Sequence, residues 1–170
     1  MVITVGRQYG SGGREIGTAL ANKLGIAYYD DMLLKAAAEE SGLCEELFHS
    51  FDERPKSFLY SIAMDPYSFT MHHVTPKGSI EQQVYLATYD TIKKLADKGP
   101  CVLIGRCADY ALKDRDDVIN LFIYAPLEGR IKRVAARNDI SESEAKDRIK
   151  KTDKSRASYY NYYSGKDWGE

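Results

Sequence analysis

The chain has 170 residues, 44% hydrophobic and 29% charged, with a formal net charge of -1. That length suits one compact domain with a buried core, and the composition excludes a disordered or fibrous chain. The small net charge excludes a global field that draws in nucleic acid, and no run of about 18 apolar residues is present to span a bilayer.

The first residues, MVITVGRQ, lack the basic region and long apolar stretch of a secretory signal, so a cytoplasmic protein is expected. Residues 2–5 (VITV) predict a buried parallel strand. A helix follows from Gly12 or Gly13 to Leu24, with Ile16, Leu20 and Leu24 at helical spacing and Gly25 closing it. Residues 26–30 (IAYYD) read as a second strand and DMLLKAAAEES as a helix. From Gly42 to Thr75 the pattern is a mix of short helical pieces and turns marked by Pro55 and Pro66, with Pro76 just beyond.

Ser79 caps a helix running to Lys98, whose apolar set is Val84, Leu86, Ile92 and Leu95. Residues 101–105 (CVLIG) are a third strand. Residues 118–126 (VINLFIYAP) form the longest apolar run and predict a central strand stopped by Pro126. The last third is helical: residues 127–137, then a helix opened by Ser141 and Glu144 in capping-box spacing. Apolar strands alternating with helices indicate a parallel sheet covered on both faces, with ligands beyond the carboxyl ends of its strands. Gly6, Asp30, Arg106 and Pro126 lie at such ends.

GRQYGSGGREIG, residues 6–17, sits between the first strand and first helix. Its small residues suit either a plain tight turn or a loop whose amides turn inward around an anion at a helix N-terminus. The P-loop consensus places lysine and then Ser or Thr after the GSG glycine; here Gly12 is followed by Gly13 and Arg14, a degenerate match. Arg14 offers a forked cation one residue after the lysine position. Arg7 is a second local cation or a solvated loop residue, and Ser11 is a turn residue or, like Thr18, a candidate Mg²⁺ contact.

Three cysteines, Cys44, Cys101 and Cys107, show no CxxC pair and read as reduced structural thiols. His49, His72 and His73 read as surface or polar-core residues, and no protein metal site is predicted. Residues 130–156 are rich in arginine and lysine, and Arg130, Arg133 and Arg137 share one helix face, either solvated or facing a ligand. Tyr159, Tyr160, Tyr162, Tyr163 and Trp168 either stack on bases or pack the last helix against the body.

Taken together, GRQYGSGGREIG, YYDD, VLIGRCADY, VINLFIYAPLEGRIKR and DKSRASYYNYYSGKDWG resemble the cytidylate kinase-like family, P-loop proteins related to bacterial cytidylate kinases and other nucleoside monophosphate kinases. The resemblance extends over nearly the whole chain. It implies a single α/β domain, 1–170, with the three-layer P-loop kinase fold: a central five-stranded parallel sheet flanked by helices, a monophosphate-binding region over about 30–98 and a basic helical lid over about 130–165. The implied reaction is phosphoryl transfer from ATP, with Mg²⁺, to a nucleoside monophosphate, CMP or dCMP foremost.

By resemblance, Gly10, Ser11, Gly12, Gly13 and Arg14 form the nucleotide loop. Asp30 lies near the transferred phosphoryl group, against the alternative of a helix N-cap. Arg106 holds the monophosphate nucleotide, against the alternative of pairing a surface carboxylate. Cys107 replaces the aspartate of the family's Gly-Arg-Asp motif, and Asp109 follows two residues later. Asp153 joins the substrate set, and Arg133, Arg148 and Arg156 join Arg14 in charge neutralisation. The relatives continue into a further strand where this sequence stops at DWGE: either the sequence is truncated or that strand is absent, and the sheet edge then left open could pair with another copy. Two other functions remain open: a nucleotide-binding module without turnover and a single-strand nucleic-acid binder.

Overall fold

The computed structural model describes residues 1–51 and 79–170. The turns predicted at Pro55, Pro66 and Pro76, and His72 and His73, lie outside the described residues. In chain order the elements are β1 (Val2–Arg7), α1 (Gly13–Leu24), β2 (Ala27–Tyr29), α2 (Asp31–Ser41), α3 (Glu45–Phe51), α4 (Ile80–Lys98), β3 (Cys101–Ile104), α5 (Ala108–Ala111), β4 (Val118–Ile123), α6 (Leu127–Asn138) and α7 (Glu142–Ser164).

The strands form one parallel sheet in the order β2-β3-β1-β4. Successive side chains of a strand point to opposite faces, so an apolar strand needs cover on both. On one face Ile3, Val5, Val102 and Ile104 pack with Ala21 of α1. On the other, Val2, Cys101 and Leu103 pack with Leu33 of α2, Ile92 of α4 and Ala111 of α5. The result is a three-layer α/β fold. All three cysteines are free thiols, with Cys101 and Cys107 buried.

Three sequence expectations are corrected. The first concerns 118–126, which is not a central strand: β4 pairs only with β1 and lies at the sheet edge among the described residues, with Ile119 47% exposed. No residue of β4 is fully buried, so the length of its apolar run did not mark a place inside the sheet. The shorter CVLI of β3 is wholly buried and takes the inner place. Four strands, not five, form the described sheet.

The second concerns α1, which does not bury Ile16 and Leu24; both are over 40% exposed. Its buried residues are Gly13, Gly17 and Ala21. This small-residue stripe brings the helix backbone close to the strands: a Cβ at Gly17 would lie 2.5 Å from Ile104 Cδ1. The third concerns α4, where Val84, Ile92 and Leu95 are buried as expected but Leu86 is exposed.

The predicted caps are present. Ser79 accepts from the Gln82 amide, and Ser141 and Glu144 form a reciprocal capping box at the start of α7. Tyr159, Tyr160 and Tyr163 pack the last helix against the body, whereas Tyr162 is exposed. Tyr163 stacks on Tyr85 of α4 at 3.7 Å, and Tyr159 meets Tyr163 edge-on. Beyond α7, Trp168 meets Phe122 of β4 edge-on. His49 lies 3.5 Å from Glu45 on the surface of α3. No helix among the described residues is long and apolar enough to cross a membrane.

Candidate active site

The chain leaves β1 through a turn in which Gly10 (φ 77°) and Gly12 (φ 89°) are left-handed, a conformation that favours glycine. Gly12 is the N-cap of α1, so the first amides of that helix open where the strand ends. Gly13 has no room for a side chain: a Cβ there would lie 2.5 Å from Arg7 Cβ and 3.4 Å from Ile123 Cβ. The lysine of the P-loop consensus is therefore excluded at this position by its own neighbours. Ser11 is buried, and its Oγ has no partner among the described residues. Thr18 turns its hydroxyl back to the Arg14 carbonyl.

Asp30 stands at the end of β2, 5% exposed. Although it occupies the N-cap position of α2, its side chain makes no cap bond. Its carboxylate instead lies 2.5 Å from Arg14 Nε and accepts from Arg106 Nη1 at 2.9 Å. Arg106 is itself buried, so its carboxylate partner is an interior one. A strained turn aims it there. Gly105, Arg106 and Cys107 are all left-handed, with φ of 69°, 55° and 56°. For the two residues bearing a Cβ this costs about 1 kcal/mol each or more. A second bond, from Arg106 Nη1 to the Ile104 carbonyl, holds the guanidinium against the strand end.

Helices α6 and α7 grip the glycine turn from outside. Arg156 donates to the Arg7 carbonyl at 3.2 Å, Arg130 to that of Tyr9 at 3.2 Å, and Arg133 to that of Gly10 at 2.6 Å. Asp153 accepts the Tyr9 amide at 2.7 Å and the Arg130 guanidinium at 2.6 Å. The Tyr9 ring lies near two cations, with Arg137 at 5.4 Å and Arg156 at 5.8 Å from its centroid.

Between these elements lies a cleft of about 460 Å³. Arg7, Arg14, Arg106, Arg137 and Arg156 line it against only two carboxylates, Glu15 and Asp30, together with Gly10, Gly12 and Gly13. A cleft so lined attracts anions, and its guanidinium forks match phosphate oxygens. Arg7, Arg106 and Arg156 also line an adjoining chamber of about 100 Å³. There Asp109 accepts a 2.6 Å hydrogen bond from Tyr160; burial, and then this bond, push the Tyr160 hydroxyl above the ordinary tyrosine range. Among the described residues no group of three or more His, Cys, Asp or Glu could hold a metal ion.

Of the residues singled out in the sequence, Gly10, Gly12, Gly13, Arg14, Asp30, Arg106 and Arg156 therefore meet at one cleft. Arg133 sits on the outer side of the loop, Asp109 in the adjoining chamber, and Asp153 against the Tyr9 peptide. Arg148 is exposed on α7 and lines neither cavity; the Ser141 hydrogen bonds hold the Glu144 carboxyl below the usual range, and the charge of Arg148 adds to them. Arg130 and Arg137 were picked out only as part of the basic face shared with Arg133, and Tyr9 not at all. The signal for the two arginines was their spacing with Arg133; nothing local distinguished Tyr9.

Among solved structures, an uncharacterized protein from Eubacterium ventriosum ATCC 27560 is 27% identical with a TM-score of 0.68, over all of this chain and 81% of its own. TT1252 from Thermus thermophilus is 22% identical with a TM-score of 0.53, over 89% of this chain and 79% of its own, and shares the fold. No curated protein matches significantly. The model of the cytidylate kinase-like family matches residues 2–170, and with that span, essentially the whole fold described above, the chain belongs to the cytidylate kinase-like family.

Proposed function

We propose that the protein transfers a phosphoryl group from ATP to a nucleoside monophosphate, with CMP and dCMP the first candidates. One observation carries this reading: Arg14, from the loop, and Arg106, from the end of β3, converge on Asp30 at the open end of the sheet beside the glycine turn. Family membership supports a nucleotide kinase-like activity of this kind.

The donor set fits a polyphosphate. The amides opening α1 and the five cleft arginines supply hydrogen-bond donors and positive charge where phosphate oxygens would lie. Phosphoryl transfer asks chiefly for alignment and charge neutralisation, which such a set provides without covalent chemistry. Arg14, more than half exposed at its side chain, has room to swing from Asp30 onto a phosphate. Arg106 is buried and stays to orient the acceptor. Arg133 and Arg156 bring further positive charge to the loop, and closure of this end of the molecule excludes water that would otherwise take the phosphoryl group. Mg²⁺ carried in with the nucleotide would offset charge on the phosphate oxygens, with Asp30 as the buried carboxylate available to its water shell.

A coupled assay with ATP, Mg²⁺ and each of CMP, dCMP, UMP and AMP tests the proposal. Diphosphate product from at least one acceptor is expected. A second reading, nucleotide binding without turnover, draws on the pairing of Arg14 and Arg106 with Asp30 and on Cys107 standing in place of the motif aspartate. Calorimetric ATP binding with no product above background would select it.

A further inference from the structure

We infer that Arg130 and Asp153 form a clamp on the Tyr9 peptide that sets the shape of the glycine loop, which makes both of them positioning residues rather than ligands of a substrate. Asp153 takes the Tyr9 N–H on Oδ1 at 2.7 Å and Arg130 on Oδ2 at 2.6 Å, while Arg130 Nη1 also donates to the Tyr9 carbonyl at 3.2 Å. One ion pair thus holds a single residue by both its backbone polar groups.

The pair is arranged for the loop and not for itself. An arginine facing a carboxylate ordinarily gains from two parallel bonds. Here Asp153 gives its second oxygen to the Tyr9 amide, and Arg130 Nε is buried with no partner among the described residues. Arg130 is only 7% exposed, so the lost bond is not replaced cheaply by water. Neither Arg130 nor Asp153 lines the cleft or the adjoining chamber. They act from behind the loop.

Packing makes the grip firm. A Cβ at Gly10 would lie 2.7 Å from Val134 Cγ2 and 3.2 Å from the Arg130 carbonyl oxygen, so α6 presses directly on the loop. With Arg133 on the Gly10 carbonyl, two successive carbonyl groups point to α6. Carbonyl dipoles turned that way do not oppose an anion at the start of α1. The consequence for anion binding rests on the proposed function; the conformation of the loop does not.

The test uses the full chain and two variants, Asp153→Asn and Arg130→Lys. In the first, the new carboxamide can still accept the Tyr9 amide but presents an N–H₂ group to Arg130. In the second, the shorter, unforked ammonium reaches one acceptor and not both. Amide hydrogen exchange at Tyr9 is expected to quicken at least tenfold in each variant, while amides of β3 keep their wild-type protection. Calorimetry with inorganic pyrophosphate is expected to show binding weakened about tenfold or more, with the double variant no worse than the weaker single one. Wild-type exchange at Tyr9 in a folded variant would overturn the clamp. So would intact pyrophosphate binding with loss of CMP binding alone, since Asp153 would then be touching the acceptor. If wild-type protein binds no pyrophosphate but Asp153→Asn still unprotects Tyr9, the clamp stands and the proposed function falls. Should Asp153→Asn fail to fold, the Tyr9 exchange rate in Arg130→Lys decides alone.

Discussion

At the scale of single residues the site is an excess of guanidinium held in check by one buried carboxylate. Asp30 and Arg106 are both nearly inaccessible, so removing the carboxylate deletes a countercharge 2.9 Å from a buried cation. Asp30→Ala is expected to cost about 3 kcal/mol or more in chemical denaturation. Arg14 is exposed and its loss should spare the fold, yet turnover in Arg14→Ala should fall by about a hundredfold, as when a transition-state charge contact is removed. Unchanged turnover would mean that Arg14 does not replace the consensus lysine. Gly13 explains why that lysine is absent. Its Cβ position is filled by Arg7 Cβ, an atom anchored to backbone, so Gly13→Lys should destabilise the protein by about 1–3 kcal/mol instead of improving catalysis. Position and residue type were enough to single out Arg14, Asp30 and Arg106 in the sequence: Asp30 and Arg106 lie just beyond strand ends, and Arg14 stands one residue after the lysine position of the loop. That they bond to one another was not legible, since 76 residues separate Asp30 from Arg106.

At the scale of elements, α7 is a strut. Its capped N-terminus packs on α6 through Ala145 and Ile149, its middle carries Asp153 and Arg156 to the loop, and its end stacks Tyr163 on α4. Ser141→Ala removes the cap and should cost about 1 kcal/mol of stability, measured by thermal or urea unfolding. The same helix accounts for Arg148. With 3.6 residues per turn, Arg148 points about 100° away from Ile149, which faces the core, and so away from the cleft. The capping box and the helix length could be seen in the sequence; the side on which each arginine falls depended on which stripe packs. Burial pushes the Tyr163 hydroxyl up to about 12. A raised pKa means the folded state favours the protonated phenol. The stability this contributes is full below the ordinary tyrosine value of about 10 and declines as pH rises through about 12. Tyr163→Phe should therefore flatten the alkaline loss of stability between those values in pH-dependent denaturant titrations.

At the scale of the whole molecule, the parallel sheet brings the ends of β1, β2 and β3 to one side, and the α6–α7 pair closes that side against the glycine turn. A ligand held there would meet five separate parts of the chain, so its binding should report on global unfolding. ATP with Mg²⁺ at a hundred times its Kd should raise stability by about 2.7 kcal/mol, and a flat melting temperature would count against nucleotide binding in the cleft. By itself the sequence determined the α/β class, the helix caps, the strand-end positions of the site and the family resemblance, because periodicity, capping chemistry and motif spacing are local properties. Only the tertiary structure decided that β4 lies at the edge, that α1 buries glycines instead of its larger apolar residues, and that Asp153 and Arg130 grip a backbone unit. Each of those outcomes depends on which surfaces meet across the fold, and hydrophobic burial and charge pairing act between surfaces without regard to separation along the chain.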